Sequence, residues 1–280
     1  MKPVYGPFQR PAQGEPPRTS LERPGPHRQR TERKRSRRGP TGWPIWAEIA
    51  ARAGILLIGA FGVGAVLQYI DAQPEGRKPW GQADLEEPGL HLFTSTHLRA
   101  LRGDTDACLA ALDGSDMAFT RAEPSTAATP ACHWQAGVRI EQSNVGYASP
   151  APDVASCALA ATLYVWEREI LQPAAQDHLG CAVEEILHFG TFSCRRVNGA
   201  QSGNWSEHAG ANAIDISGFR LADGRVIEVT DWGEGGEVAD FLREVRDGSC
   251  QLFTGVLGPD YNAAHHDHLH LDMGPWQMCR

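Results

Sequence analysis

Ala53 to Ile70 is an uncharged apolar run of 18 residues, and it constrains this 280-residue chain more than any other feature. At about 1.5 Å per residue the run spans roughly 27 Å as a helix, close to the hydrocarbon thickness of about 30 Å. Trp43, Trp46 and Tyr69 stand where aromatic rings meet membrane interfaces, and Arg52 is placed to snorkel. A buried core helix is the competing reading, but nothing in the preceding segment is able to cover it. The first 52 residues carry 12 Lys and Arg against 4 acids, with many prolines and little apolar clustering before Trp43. We expect residues 1–42 to be a disordered basic cytoplasmic tail, residues 43–72 a transmembrane anchor, residues 73–84 a polar linker and residues 85–280 one exported domain. Basic residues ahead of the span hold the amino end inside, so the expected placement is a single pass through the inner membrane with a periplasmic domain. The long basic region, and the lack of a small-x-small site after the run, argue against a cleaved signal peptide. The densest basic stretch, His27 to Arg38, has the charge to touch nucleic acid, but a cytoplasmic retention signal explains it better.

Beyond the basic segment the balance reverses. Residues 53–280 hold 14 basic and 30 acidic residues, which argues against nucleic acid as a partner of the domain. All seven cysteines follow the apolar run, as suits an oxidising compartment, and an odd count leaves at least one thiol free or bonded to another chain. No Cys-x2-Cys pair supports a zinc–thiolate site, and three bridges among six cysteines allow 15 connectivities. Apolar periodicity predicts helices from Val154 to about Gln172 and from Gly236 to Asp247. Alternation predicts strands at Val183–Phe189, Ala213–Leu221, Arg225–Val229 and His268–Met273. The expected class is α+β, a mainly antiparallel sheet with flanking helices. No repeat, phosphate-binding glycine loop or Gly-x-Ser-x-Gly signature is present.

Chemistry concentrates in two runs. Ser206 to Asp215 contains His208 and Asp215, and a later run reads His265-His266-Asp267-His268-Leu269-His270. Catalytic zinc takes three protein ligands drawn from His and Asp or Glu and keeps a fourth position for water, so these residue types point to hydrolysis. On a strand, Ile214 and Ile216 face a core and Asp215 faces away from it. Gly210 is expected to turn the backbone and bring His208 over Asp215. Alternation places His266, His268 and His270 on one strand face, with Asp267, Leu269 and Leu271 on the other. One of the paired imidazoles can then bind metal while its neighbour handles protons. A lone His beside an Asp is usually a surface hydrogen bond, and a His tract can bind metal adventitiously. Alternation with core-type residues favours a built site.

Residues from about Glu86 to Arg280 resemble the bacterial extensin-like C-terminal domain. The matching stretches are Ser193-Cys194-Arg195, Ser206 through Phe219, and Leu257-Gly258-Pro259-Asp260-Tyr261-Asn262 through Asp272. That domain is similar to the LAS group: lysostaphin-type enzymes, D-Ala-D-Ala metallopeptidases and the Sonic hedgehog signalling domain. These share a Ser-x-His-x6-Asp run and a later His-x-His or Glu-x-x-His run. The resemblance implies a LAS-like core with zinc held by His208, Asp215 and His270. It also implies His268 as catalytic base, His265 as an extra active-site histidine and Arg195 as the group that binds substrate carboxylate or the oxyanion. Ser206 would support the site. The expected activity is a membrane-anchored zinc peptidase cutting peptidoglycan peptides, as carboxypeptidase or endopeptidase. The alternative is a zinc-bearing envelope binding or scaffold module without turnover.

Overall fold

The computed structural model describes residues 42–134 and 136–280; the expected basic tail, through residue 41, lies outside the described residues. Residues 59–280 form the larger compact unit, separate from the described residues before them, and helix α1, Ile45–Asp71, contains the boundary. At 27 residues α1 extends about 40 Å, long and apolar enough to cross a membrane, and none of its residues is buried.

The larger unit contains the remaining elements in mixed α/β order. Helices α2 (Thr94–Ala100) and α3 (Thr105–Asp113) come first, then β1 (Ala118–Arg121), β2 (Gly137–Gln142), β3 (Gly146–Tyr147) and β4 (Ala155–Ser156). Helices α4 (Cys157–Trp166) and α5 (Gln172–Leu179) precede β5 (Val183–Gly190), β6 (Ala213–Leu221) and β7 (Val226–Glu228). Helix α6 (Gly236–Ser249), β8 (Gly255–Leu257), β9 (Leu269–Asp272) and β10 (Met278–Cys279) complete the chain. The principal sheet runs β10-β8-β9-β6-β5-β3, with β7 beside β6; a smaller sheet is β1-β2-β4. Pairs β3–β5 and β10–β8 are parallel, and the others in the principal sheet are antiparallel.

Local chemistry explains the boundaries. All ten residues of α4 are buried, as its nearly uninterrupted apolar sequence requires. Expected to begin at Val154, it begins at Cys157, because the Ser156 hydroxyl accepts from Leu159 N and caps the first turn. It also does not stop at Gln172: a wide π-type turn, Glu167–Leu171, carries it into α5, which ends at Gly180 with φ 61°. Strand β7 stops at Glu228, short of the expected Val229, because Glu228 and Asp231 form a reciprocal cap that starts a 3₁₀ turn. Helix α6 buries Phe241, Leu242 and Val245, and Phe241 meets Phe219 of β6 edge to face at 5.3 Å. Residues ahead of α3 join the same core, among them Leu85, Leu98 and Leu101.

Three disulfides brace these layers. Cys108–Cys157 ties α3 to the start of α4, Cys132–Cys194 reaches the segment before Arg195, and Cys250–Cys279 fastens β10 to the end of α6. Loop-closure entropy makes each worth on the order of 4 kcal/mol. Cys181 is the free thiol.

Candidate functional site

Strand pairing brings the site together. Asp215 on β6 stands directly opposite His270 on β9, the separation at which cross-strand side chains touch. Ile214 and Ile216 on either side are fully buried in the core, which turns Asp215 to the other face. His208 arrives from a 3₁₀ turn, Glu207–Gly210, capped by the Ser206 hydroxyl, which accepts from His208 N at 3.3 Å. The residue that reverses the chain is Ala211, at φ 53°, rather than the expected Gly210. Asn212 donates to the Glu207 carboxylate at 2.7 Å and closes this turn, so the strained residue is held from both sides.

Three atoms converge. His208 Nε2 lies 3.0 Å from Asp215 Oδ1, His270 Nδ1 lies 2.9 Å from the same oxygen, and the two nitrogens are 3.2 Å apart. The outer nitrogen of each ring is already committed. His208 Nδ1 donates to the Thr191 carbonyl at 3.1 Å, and His270 Nε2 donates to Asp272 Oδ2 at 3.1 Å. Since a carbonyl or carboxylate can only accept, each ring carries a proton on its outer nitrogen, and in its neutral form it aims a lone pair inward. Two lone pairs and a carboxylate oxygen at such distances repel unless a positive charge sits among them. Burial pushes the Asp215 carboxyl up, but the His208 and His270 imidazoles packed on it, once protonated, outweigh burial and hold the group well below the usual carboxylate range. Burial alone would lower His270, yet hydrogen bonds to Asp215 and Asp272 push it up to about 9. A proton or a metal cation satisfies this donor set.

The remaining expected residues surround that cluster. His268 Nε2 is 3.6 Å from Asp215 Oδ1, and Arg195 Nη2 is 3.8 Å from Asp215 Oδ2, so the two flank opposite oxygens of one carboxylate. His265 donates from Nδ1 to Asn262 Oδ1 at 2.9 Å, with its ring 5.1 Å from His268. Burial and the neighbouring His268 and His270 lower it to about 4, so it stands neutral at pH 7. His266 does not join them: β9 begins only at Leu269, and His266 turns out to the exposed rim. For the same reason Asp267 does not face away from the site. Its carboxylate accepts from His268 Nδ1 at 2.9 Å, leaving Nε2 toward the cluster. Residues Phe189, Phe192, Arg195, His208, Asp215 and His268 are among those lining a cleft of about 420 Å³.

Asp272, Thr191 and Gly255 were not anticipated. Asp272 follows His270 by two, so strand alternation alone places it on the same face. Its Oδ1 accepts from Gly274 N at 2.6 Å. Gly255 on β8 stands opposite Asp272, and a Cβ there would lie 1.9 Å from Asp272 Oδ2. Nothing in the local sequence signals that close approach.

The family model described as extensin-like protein C-terminus matches residues 106–280. The chain belongs to that family. No curated protein and no solved structure matches it. The matched span of this extensin-like chain contains all three disulfides and every residue of the cluster. Residues 85–105, which supply Leu85, Leu98 and Leu101 to the core, precede it.

Proposed function

We propose that the extensin-like domain is a zinc-dependent peptidase of peptidoglycan peptides, acting as carboxypeptidase or endopeptidase. In this reading α1 anchors it in the inner membrane and the domain lies in the periplasm. The observation that carries the reading is the inward convergence of His208 Nε2, Asp215 Oδ1 and His270 Nδ1, with both outer nitrogens capped by oxygen. Ligands about 2.05 Å from a tetrahedral zinc stand about 3.3 Å apart, so spacings of 2.9–3.2 Å need only slight opening. The likeness of the two motif runs to the LAS group supports the same assignment. Three disulfides support an oxidising compartment.

Zinc, when bound, polarises the scissile carbonyl and lowers the pKa of water to roughly 7. The side chains do the rest. His268, with Nδ1–H fixed on Asp267, presents a basic Nε2 that accepts one proton from the attacking water. The water oxygen bonds the carbonyl carbon, the C–N bond breaks, and His268 returns that proton to the leaving nitrogen. A carboxylic acid and an amine result. Arg195, half exposed beside Asp215, offers its guanidinium to a substrate carboxylate or to the developing oxyanion. His265 adds a neutral imidazole next to His268.

The test is to purify the full chain, count its zinc and digest peptidoglycan fragments, with products read by mass spectrometry. About one zinc per chain is expected. His270→Ala should lose metal and activity together. His268→Ala should keep zinc and lose roughly a hundredfold or more in turnover. Zinc retained without any digestion would favour the scaffold reading, and full zinc in a His208→Ala, Asp215→Ala double variant would remove the metal assignment.

A further inference from the structure

Strand β5 breaks register with β6 where it reaches the site. His188 pairs with Ile216 and Gly190 pairs with Asp215, so Phe189 is an extra residue with no partner across the ladder. Gly190 has φ 102°, a conformation that side chains rarely adopt, and a Cβ added there would meet nothing within 4 Å. The strand therefore faces open cleft at this point. A bulge of this kind re-aims a side chain. Here it turns the Phe189 ring out to 62% exposure, edge-on to His268 with centroids 5.8 Å apart. Phe192, held edge to face by Trp134 at 5.1 Å, and the residues Ala263 and Ala264 line the same cleft. Polar groups line the cleft too: Asp267 accepts from His268, His266 Nδ1 donates to the Ala263 carbonyl, and Arg195 lies beside Asp215.

We infer that Phe189, with Phe192, Ala263 and Ala264, forms a subsite for an apolar side chain on the leaving-amine side of the scissile bond. This rests on the peptidase reading above. A group that returns a proton to the leaving nitrogen must lie over that nitrogen, and Phe189 adjoins that group. Arg195 flanks the other oxygen of Asp215, so the guanidinium and the phenyl ring serve different parts of the substrate. The occupant is the residue that carries the leaving nitrogen, of alanine to leucine size, without a charge.

Four peptides that differ only in that residue (alanine, leucine, glutamate or lysine) test the subsite on the full-length, zinc-loaded protein. The wild type should favour the alanine and leucine peptides over the glutamate and lysine peptides by roughly tenfold or more in kcat/KM, the scale of discrimination in an apolar pocket. Phe189→Ala should bring the ratio close to one, and Phe189→Leu should restore most of it, with zinc content unchanged in both. A wild type that prefers lysine would make Asp267 the recognition group and overturn the inference. So would an equal loss on all four peptides in Phe189→Ala, which marks a ring that merely supports His268. If the wild type cleaves none of them, the peptidase reading fails, and the same ratios measured as Kd by calorimetry decide the subsite alone.

Discussion

Asp272 illustrates how far outside the converging atoms the site extends. Its carboxylate is held by Gly274 N and accepts from His270 Nε2, which fixes the ring's tautomer and angle. Gly255 leaves the space that carboxylate occupies. On the proposed zinc assignment, Gly255→Ala should therefore displace Asp272 and weaken zinc binding by roughly 10- to 100-fold, the usual loss when an outer partner of a liganding histidine is removed. Competition with a chromophoric chelator measures this, and an unchanged far-UV spectrum separates it from unfolding. Asp272→Ala should weaken binding to a similar degree, and adding it to Gly255→Ala should weaken it little further. Independent, additive losses would show that the glycine acts elsewhere. His208, Asp215, His268 and His270 stood out in the sequence because they fall in two short runs whose roles the family resemblance implies; alternation placed Asp215 and His270 but failed for His266 and Asp267, which precede β9. Gly255 was not, since the constraint on it comes from a side chain 17 positions away that meets it only across a strand pair.

Elements that bury one face and bear function on the other were the easiest to read. Strand β6 spans Ala213–Leu221 as expected, because Ile214, Ile216 and Leu221 are all fully buried. The small sheet, α2, α3, β8 and β10 went unread: they are two to nine residues long, too short for a period to show. The turn joining α4 to α5 hides a different device. Glu167 is fully buried there and accepts from Ser143 Oγ, Tyr147 OH at 2.6 Å and Val145 N, which ties the β2–β3 loop to the helix. Burial pushes its carboxyl from 4.5 up to about 7 despite those donors. The folded state thus binds a proton that the unfolded chain releases near pH 4.5, so raising the pH toward 7 costs stability. Glu167→Gln has no such proton to lose. Relative to the wild type it should gain up to about 3 kcal/mol between pH 4.5 and 7. Urea denaturation of both proteins across that range tests this, and a pH-independent difference would mean that Glu167 does not titrate there.

At the scale of the whole molecule, charge and cysteines divide the chain at the same place as the apolar helix. Twelve basic residues against four acids lie within the first 52 positions, and 14 against 30 lie after them. The three disulfides and the free Cys181 all follow Asp71, the last residue of α1. In the proposed topology, Arg and Lys ahead of α1 resist transfer across the inner membrane, which would keep the amino end inside and send the domain after α1 out. Disulfides persist in oxidising compartments and are rare in the cytosol, so the three bridges agree with that topology. Alkaline phosphatase fused after Arg280 should therefore be active, whereas a reporter that works only in the cytoplasm should be silent at the same junction. Alkylation of the denatured, unreduced chain should modify one thiol, Cys181, and reduction should raise the count to seven. Seven reactive thiols before reduction, together with a cytoplasmically active fusion, would place the domain inside. That would sever the cleft from any cell-wall peptide, even with His208, Asp215 and His270 intact. One thiol with an external reporter would put the cleft in the compartment that contains such peptides, leaving its chemistry to the digestion assay.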